Sequence, residues 1–296
     1  MEFFWYDYET GGRDPRRDRP VQFSGVRTSE SLEIIEEPLN LMCAPALDYL
    51  PSPGACLVHG ITPQRQQQDG LLEADFAAKI CQELTRPNTC TVGYNGMRFD
   101  HEVTRFLFYR NLRDPYAWHW RDGNSRWDVI DLMRAAYALR FDGIEWAKHE
   151  EGKPSFKLSD LAKANGLDHG RAHDAHDDVM MMLGLARLVR EKHRRLFDDY
   201  LTLRDKRIVT QRVNRSFLWF TSKMASQGRY AALMSPLYVD KTGQVIAVDL
   251  AADPSVLRDL SVDELEQNIY PRSRAEDRAH LYRKRPNTPN LSLIHI

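Results

Sequence analysis

The chain opens Glu2-Phe3-Phe4-Trp5-Tyr6-Asp7-Tyr8-Glu9-Thr10, and the fold is read outward from this stretch. An aromatic run ended by Gly11-Gly12-Arg13-Asp14-Pro15 predicts a short strand over 3–9. Alternate side chains of a strand point to one side, so Asp7 and Glu9 share a face and can reach one point in space. Two carboxylates held together repel unless a cation lies between them. Two acids on one strand face are therefore expected to mark a metal site.

Two more strands are expected over 21–28 and 32–43, giving an antiparallel meander, followed by irregular chain from Ala44 to Pro53. Thr62 before Pro63 reads as a helix N-cap with proline at the first helical position. Leu72, Phe76, Ile80 and Leu84 recur at helical spacing, 89–94 reads as a strand, and Asp100 to Asn111 reads as a helix with Val103, Phe106 and Leu107 on one face. A strand over 127–131 should feed a helix over 132–139. A short helix from Leu158 should end at Asn165-Gly166, and a longer one should run over 172–189. An antiparallel start followed by strands that lead into helices predicts an α/β sheet of mixed direction, flanked by helices.

After Leu201 the texture changes. Arg204, Lys206, Arg207, Arg212, Arg215, Lys223 and Arg229 face the single acid Asp205, with Phe217, Trp219, Phe220 and Tyr230 interleaved. Interleaved cations and rings suit a single nucleic-acid strand, charges following phosphates and rings stacking on bases. A hairpin is expected across Asp240-Lys241-Thr242-Gly243. The expected organisation is a first domain over 1–201, a partial second domain over 202–272, and an atypical tail over 273–296. The closing Leu291-Ser292-Leu293-Ile294-His295-Ile296 is read as non-native or incomplete, with no element to join.

Composition narrows the class. Among 296 residues, 41 basic and 42 acidic side chains leave a formal charge of -1, so a nucleic-acid footprint has to be local. Cys43, Cys56, Cys81 and Cys90 form no C-x-x-C pair, which argues against a zinc site; they are expected to be buried thiols in a reducing compartment. The charged start has no signal-peptide pattern and no apolar run is long enough to span a bilayer, so a cytoplasmic monomer without a membrane partner is expected.

Chemistry converges on Asp7, Glu9, Asp100, His173 and Asp178. Hard oxygen ligands favour Mg²⁺ or Mn²⁺, and two such ions about 3.5–4 Å apart serve phosphodiester hydrolysis. On one regular helix, His173 and Asp178 would stand roughly 140° apart, the imidazole on the side where water enters. A ring titrating near ~6.5 suits a general base, so His173 is assigned that role. His59 is read as a structural turn histidine, and Asp128 and Asp131 as capping or surface acids.

These motifs resemble the DEDDh exonucleases of the DnaQ-like, ribonuclease H-like superfamily, and within them the bacterial exodeoxyribonuclease I family. The likeness extends to Asp18-Arg19-Pro20-Val21-Gln22-Phe23, Tyr49-Leu50-Pro51-Ser52-Pro53-Gly54, His59-Gly60-Ile61-Thr62-Pro63, Gly93-Tyr94-Asn95, Arg98-Phe99-Asp100, Asp114-Pro115-Tyr116-Ala117-Trp118 and Asn124-Ser125-Arg126-Trp127-Asp128. The resemblance implies a ribonuclease H-like first domain and the opening of an SH3-like β domain. It further implies Mg²⁺-dependent 3′-to-5′ hydrolysis of single-stranded DNA to 5′-mononucleotides in DNA repair, with two ions and Mn²⁺ as a substitute. Asp7, Glu9 and Asp178 would bind one ion, Asp7 and Asp100 the second, with His173 as base. Gly60, Ile61 and Thr62 would face the 3′-terminal nucleotide, and Asn95, Arg98 and Arg126 fall in matching motifs as substrate contacts. Single-stranded DNA and the single-stranded DNA-binding protein are the implied partners. Gly11 stands where the family carries a bulkier residue. The motif does not choose a sugar, so an exoribonuclease acting on RNA 3′ ends remains an alternative, as does a catalytically silent single-strand binding module.

Overall fold

A computed structural model of the chain describes residues 1–167, 174–221, 230–239, 245–251, 253, 258, 260–264, 281–284 and 292–294. It divides into two compact units, one of Met1–Ile130 with Gly143–Lys192 and one of Asp131–Asp142 with His193–Ile296.

The first unit is built on a five-stranded sheet ordered β3-β2-β1-β4-β5. Its strands are β1 (Glu2–Thr10), β2 (Pro20–Thr28), β3 (Leu39–Met42), β4 (Thr89–Gly93) and β5 (Ser125–Asp128). β1, β2 and β3 pair antiparallel, whereas β4 lies parallel to β1 and β5 parallel to β4. The expected mixed sheet flanked by helices is thus present. Its third strand is shorter than 32–43, for local reasons. Leu32 turns at φ 69, Ile34 meets Thr28 only as an isolated bridge, and Pro38 has no N–H to offer before β3 begins.

The helices of this unit are α1 (Pro53–His59), α2 (Pro63–Asp69), α3 (Glu73–Leu84), α4 (Asp100–Arg110), α6 (Leu158–Ala164) and α7 (Ala175–Lys192), while α5 (Val129–Leu139) follows β5. α5 starts three residues earlier than expected because Asp128 caps it, the carboxylate accepting the Ile130 N–H at 3.1 Å. α1 falls in a stretch with no predicted helix. Pro53 at its first turn and Gly60 in the left-handed region at φ 72 were its signals, but none of its side chains is buried, so no apolar periodicity announces it.

β1 separates two environments. Phe4, Tyr6 and Tyr8 join Phe23, Phe76, Ile80, Leu84, Val103, Leu107, Phe108 and Trp118 in one apolar cluster with α3 and α4. Val103 and Leu107 are buried as expected, but Phe106 is not; Phe108 takes the core place while Phe106 lies under the Arg105 guanidinium, 4.8 Å from the ring centre. On the opposite side α7 packs against β1 and β2. Arg27, 1% exposed, spans the aromatic side, donating to Glu2, Thr89 and Glu83 at 2.9–3.1 Å with its guanidinium over Phe4. Cys43 and Cys90 are buried, whereas Cys56 and Cys81 are half-buried, so only two of the four thiols are enclosed; all are free.

The second unit carries α8 (Arg194–Thr202), α9 (Lys206–Val213) and a sheet of β6 (Leu218–Thr221), β7 (Ala231–Val239), β8 (Val245–Asp249), β9 (Leu281–Lys284) and β10 (Ser292–Ile294). All pairings are antiparallel in the order β10-β6-β7-β8-β9. Val209, Val213, Leu218, Phe220, Met234 and Val245 contribute to its core. The apolar tail does join an element: Leu293 pairs with Phe220. The turn over 240–243 lies outside the described residues.

Candidate metal centre

Asp7 and Glu9 leave β1 on the side opposite Tyr6 and Tyr8, as alternation requires, and Asp178 meets them from the first turn of α7. One carboxylate oxygen from each lies within 4.8 Å of the other two. Among the described residues no other trio of His, Cys, Asp or Glu converges in this way.

Side chains of β2 set the start of α7. Gln22 Oε1 accepts the Ala175 N–H at 3.5 Å, and Ser24 Oγ lies 3.4 Å from His176 Nδ1. Asp174 accepts the His176 N–H at 3.0 Å, closing the first turn from its N-terminal side. His176 therefore stands against β2. His173 lies outside the described residues. α7 begins at Ala175, not at the expected 172, so the helical arithmetic between 173 and 178 has no basis in the described helix.

Asp100 arrives separately, at the start of α4, and is 6% exposed. It is not a member of the converging trio, yet the four acids act on one another. Burial raises Asp7 well above the ordinary carboxylate range, and the charges of Asp100, Asp178 and Glu9 add to the rise. Burial, then Asp178, Asp100 and Asp174, push Glu9 up to about 8. Asp100 is raised to about 7, burial again leading; N–H groups of Tyr8 and of Asp100 itself pull the other way. Crowded, desolvated carboxylates of this kind are stabilised by a divalent cation. An all-oxygen donor set without thiolate fits a hard ion.

The substrate residues suggested by the sequence are placed less uniformly. Gly60 ends α1, Ile61 is buried with its N–H donating to His59 Nδ1 at 3.0 Å, and exposed Thr62 caps α2 by accepting the Arg65 N–H at 3.3 Å. His59 thus has the structural turn role expected of it. Asn95 is exposed at the end of β4, in the left-handed region at φ 58. The side chain of Arg98 lies outside the described set.

Arg126 is in register with Thr91, which is in register with Phe4, so it lies on the Phe4 and Tyr6 side of the sheet, where Tyr6 and Glu102 act on it. His101 belongs to that side too, stacked on Tyr6 with ring centres 6.0 Å apart and edge-on to Trp118 at 5.2 Å. Burial holds its pKa well below the usual value.

Asp128 and Asp131 are not surface acids, being 4% and 1% exposed. Asp131 pairs with Arg134 at 2.8 Å. Asp128, besides capping α5, accepts the N–H of Asn95 at 2.7 Å, a contact across 33 residues of sequence that no local pattern signals. At Gly11, a Cβ would lie 2.5 Å from Tyr49 Oη and 3.0 Å from Pro51 Cβ. The Tyr49 ring therefore fills the place of a side chain at 11.

Comparison with known proteins agrees with this geometry. A family model described as exonuclease matches residues 4–186, and one described as exonuclease I SH3-like domain matches residues 204–296. Exodeoxyribonuclease I of Escherichia coli is 44% identical over 274 residues, which cover 90% of this chain and 58% of that protein. The crystal structure of E. coli exonuclease I in complex with a dA16 oligonucleotide superposes with a TM-score of 0.91 at 42% identity, covering 99% of this chain and 64% of the other. An ExoI/SSB-Ct complex gives 0.88 at 41% identity, covering 99% and 65%. The chain thus spans less than two thirds of the length of these relatives. With both family models matched in order, the acids of β1, α4 and α7 in place, and these identities over nearly its whole length, this chain belongs to the exonuclease family, in its exodeoxyribonuclease I branch.

Proposed function

We propose that this chain is a Mg²⁺-dependent exonuclease that removes 5′-mononucleotides from the 3′ end of single-stranded DNA. The observation that carries the reading is the meeting of Asp7, Glu9 and Asp178 carboxylates within 4.8 Å on the side of β1 opposite Tyr6 and Tyr8. Asp7, Glu9 and Asp178 would hold one ion, with Asp100 and Asp7 serving a second. When bound, the ions supply Lewis acidity toward a phosphoryl oxygen and the attacking water.

The remaining work falls to the chain. Held by two rigid elements, the carboxylates need no large rearrangement to present several oxygens together, which lowers the cost of organising the site during reaction. His173, five residues before Asp178, takes the role of general base, accepting the proton of the attacking water. Ile61 is anchored in the core and fixes the turn whose exposed Gly60 and Thr62 offer backbone and hydroxyl groups to the terminal nucleotide. Single-stranded DNA is the substrate class because the E. coli relative was solved with a dA16 oligonucleotide, and the ExoI/SSB-Ct complex supports the single-stranded DNA-binding protein as a partner.

The test is digestion of a 5′-labelled single-stranded DNA oligomer with Mg²⁺, alongside an RNA oligomer of the same sequence. The expected result is a ladder shortening from the 3′ end on DNA, release of 5′-mononucleotides, and arrest by EDTA. Faster digestion of RNA than of DNA would replace the deoxyribonuclease reading with the exoribonuclease one. Binding without any release would leave a silent binding module.

A further inference from the structure

Asp128 lies at the end of β5, 4% exposed, in register with Gly93 at the end of β4. Its Oδ1 accepts the N–H of Asn95 at 2.7 Å and of Ile130 at 3.1 Å, and its Oδ2 faces the N–H of Met97 at 3.4 Å. One carboxylate thus caps α5 and also ties down the turn that leads into α4. Asn95 adopts the left-handed region at φ 58, which asparagine enters more readily than other residues with a side chain, and Asp128 holds it there through the Asn95 N–H. Gly96, Met97 and Arg98 then form a single 3-10 turn that runs straight into Asp100.

Gly96 completes the link. A Cβ built there would lie 2.9 Å from Asp100 Oδ2, so the Asp100 carboxylate rests directly against the backbone that Asp128 holds. Asp128 does not belong to the converging acids. Its reach to Asp100 passes through the amides of residues 95 and 97 and the bare Cα of Gly96.

We propose that Asp128 is a positioning residue, fixing the Asn95–Met97 turn so that the Asp100 carboxylate is aimed at the ion-binding acids. This rests on the assignment of Asp100 to that site. Groups that orient metal ligands typically alter metal affinity about 10- to 100-fold when removed. The turn-to-carboxylate contact predicts the same loss from two unrelated changes. Asp128→Ser keeps a side chain able to cap α5 but too short to reach Asn95 and Met97. Gly96→Ala leaves Asp128 untouched and pushes the Asp100 carboxylate from its rest.

The experiment is Mn²⁺ titration of the full chain followed by electron paramagnetic resonance, with circular dichroism melts to show that each variant is folded. Both variants are expected to bind Mn²⁺ at least about tenfold more weakly than the parent. A purely structural role for Asp128 would lower the melting temperature and leave the Mn²⁺ curve where it was. Parental Mn²⁺ affinity in folded Asp128→Ser overturns the proposal, and if that variant does not fold, Asp128→Asn, which gives up one of the two accepting oxygens, is read by the same criterion. A parent chain that binds no Mn²⁺ is a distinct outcome: it removes the reading of the site, and this inference with it.

Discussion

The two sides of β1 follow different rules with the same backbone. Toward α3 and α4, Phe4, Tyr6 and Tyr8 are packed among apolar and aromatic neighbours, and the charge beside them, Arg27, is matched by Glu2 and Glu83. Toward α7, on the side that also carries buried Phe3 and Trp5, Asp7 and Glu9 meet a third acid, Asp178. Burial stabilises the first side; on the second, burial and like charge both raise the energy of the ionised site. A chain that keeps such a cluster gives up stability for a site, and an external cation is the natural complement.

The largest effect expected from breaking this contrast is on turnover. Asp178→Ala removes one of the three converging carboxylates and should lower the rate of mononucleotide release by about 10³-fold or more, on the order of 4 kcal/mol in the barrier. Binding of the oligonucleotide should be largely retained, as followed by fluorescence anisotropy. Undiminished hydrolysis would remove the mechanism.

On the aromatic side the corresponding cut is Arg27→Met. Taking away a buried guanidinium that serves Glu2, Glu36 and Glu83 should cost about 3 kcal/mol of stability in urea denaturation, while a folded sample keeps its Mn²⁺ affinity. A loss of Mn²⁺ binding there would show that the two sides are not independent. Gly11→Phe should cost about 2 kcal/mol, because Tyr49 must leave its place and its bond to Asp18 at 2.9 Å.

A smaller effect comes from pH. Glu9 is raised from 4.5 to about 8 and Asp100 from 3.8 to about 7, so the folded chain binds more protons than the unfolded one between those limits. Stability from these groups is complete below about pH 4 and is lost as pH rises toward about 8. Without divalent ions, this component should lower the melting temperature from pH 5 to pH 8, and Mg²⁺ should restore more at pH 8 than at pH 5. Equal Mg²⁺ effects at both values would contradict the account. At the bottom of the scale, Lys153→Ala removes only an exposed pair with Glu151 and should change stability by less than about 0.5 kcal/mol.

Much of this contrast is legible in the sequence, because period-two alternation in residues 3–9 assigns faces without further information. The helices that announce themselves, α3, α4 and α7, do so through apolar periodicity. What escapes is whatever depends on turn chemistry or on a neighbour distant in sequence. β3 is cut short by the turn at Leu32, and α1 has no buried face to display. The side on which Arg126 lies follows only from its register with Thr91 and Phe4, which no local pattern contains. Asp128 reads as a cap, correctly for Ile130, while its hold on Asn95 requires knowing that β4 and β5 are neighbours.

The most direct test is anomalous diffraction from crystals soaked in Mn²⁺ with a 5′-mononucleotide. Peaks among the carboxylates of Asp7, Glu9 and Asp178, with a neighbouring ion touching Asp100, are the expected result. Mn²⁺ bound elsewhere while this cluster stays empty would contradict the central claim that these acids exist to hold divalent ions.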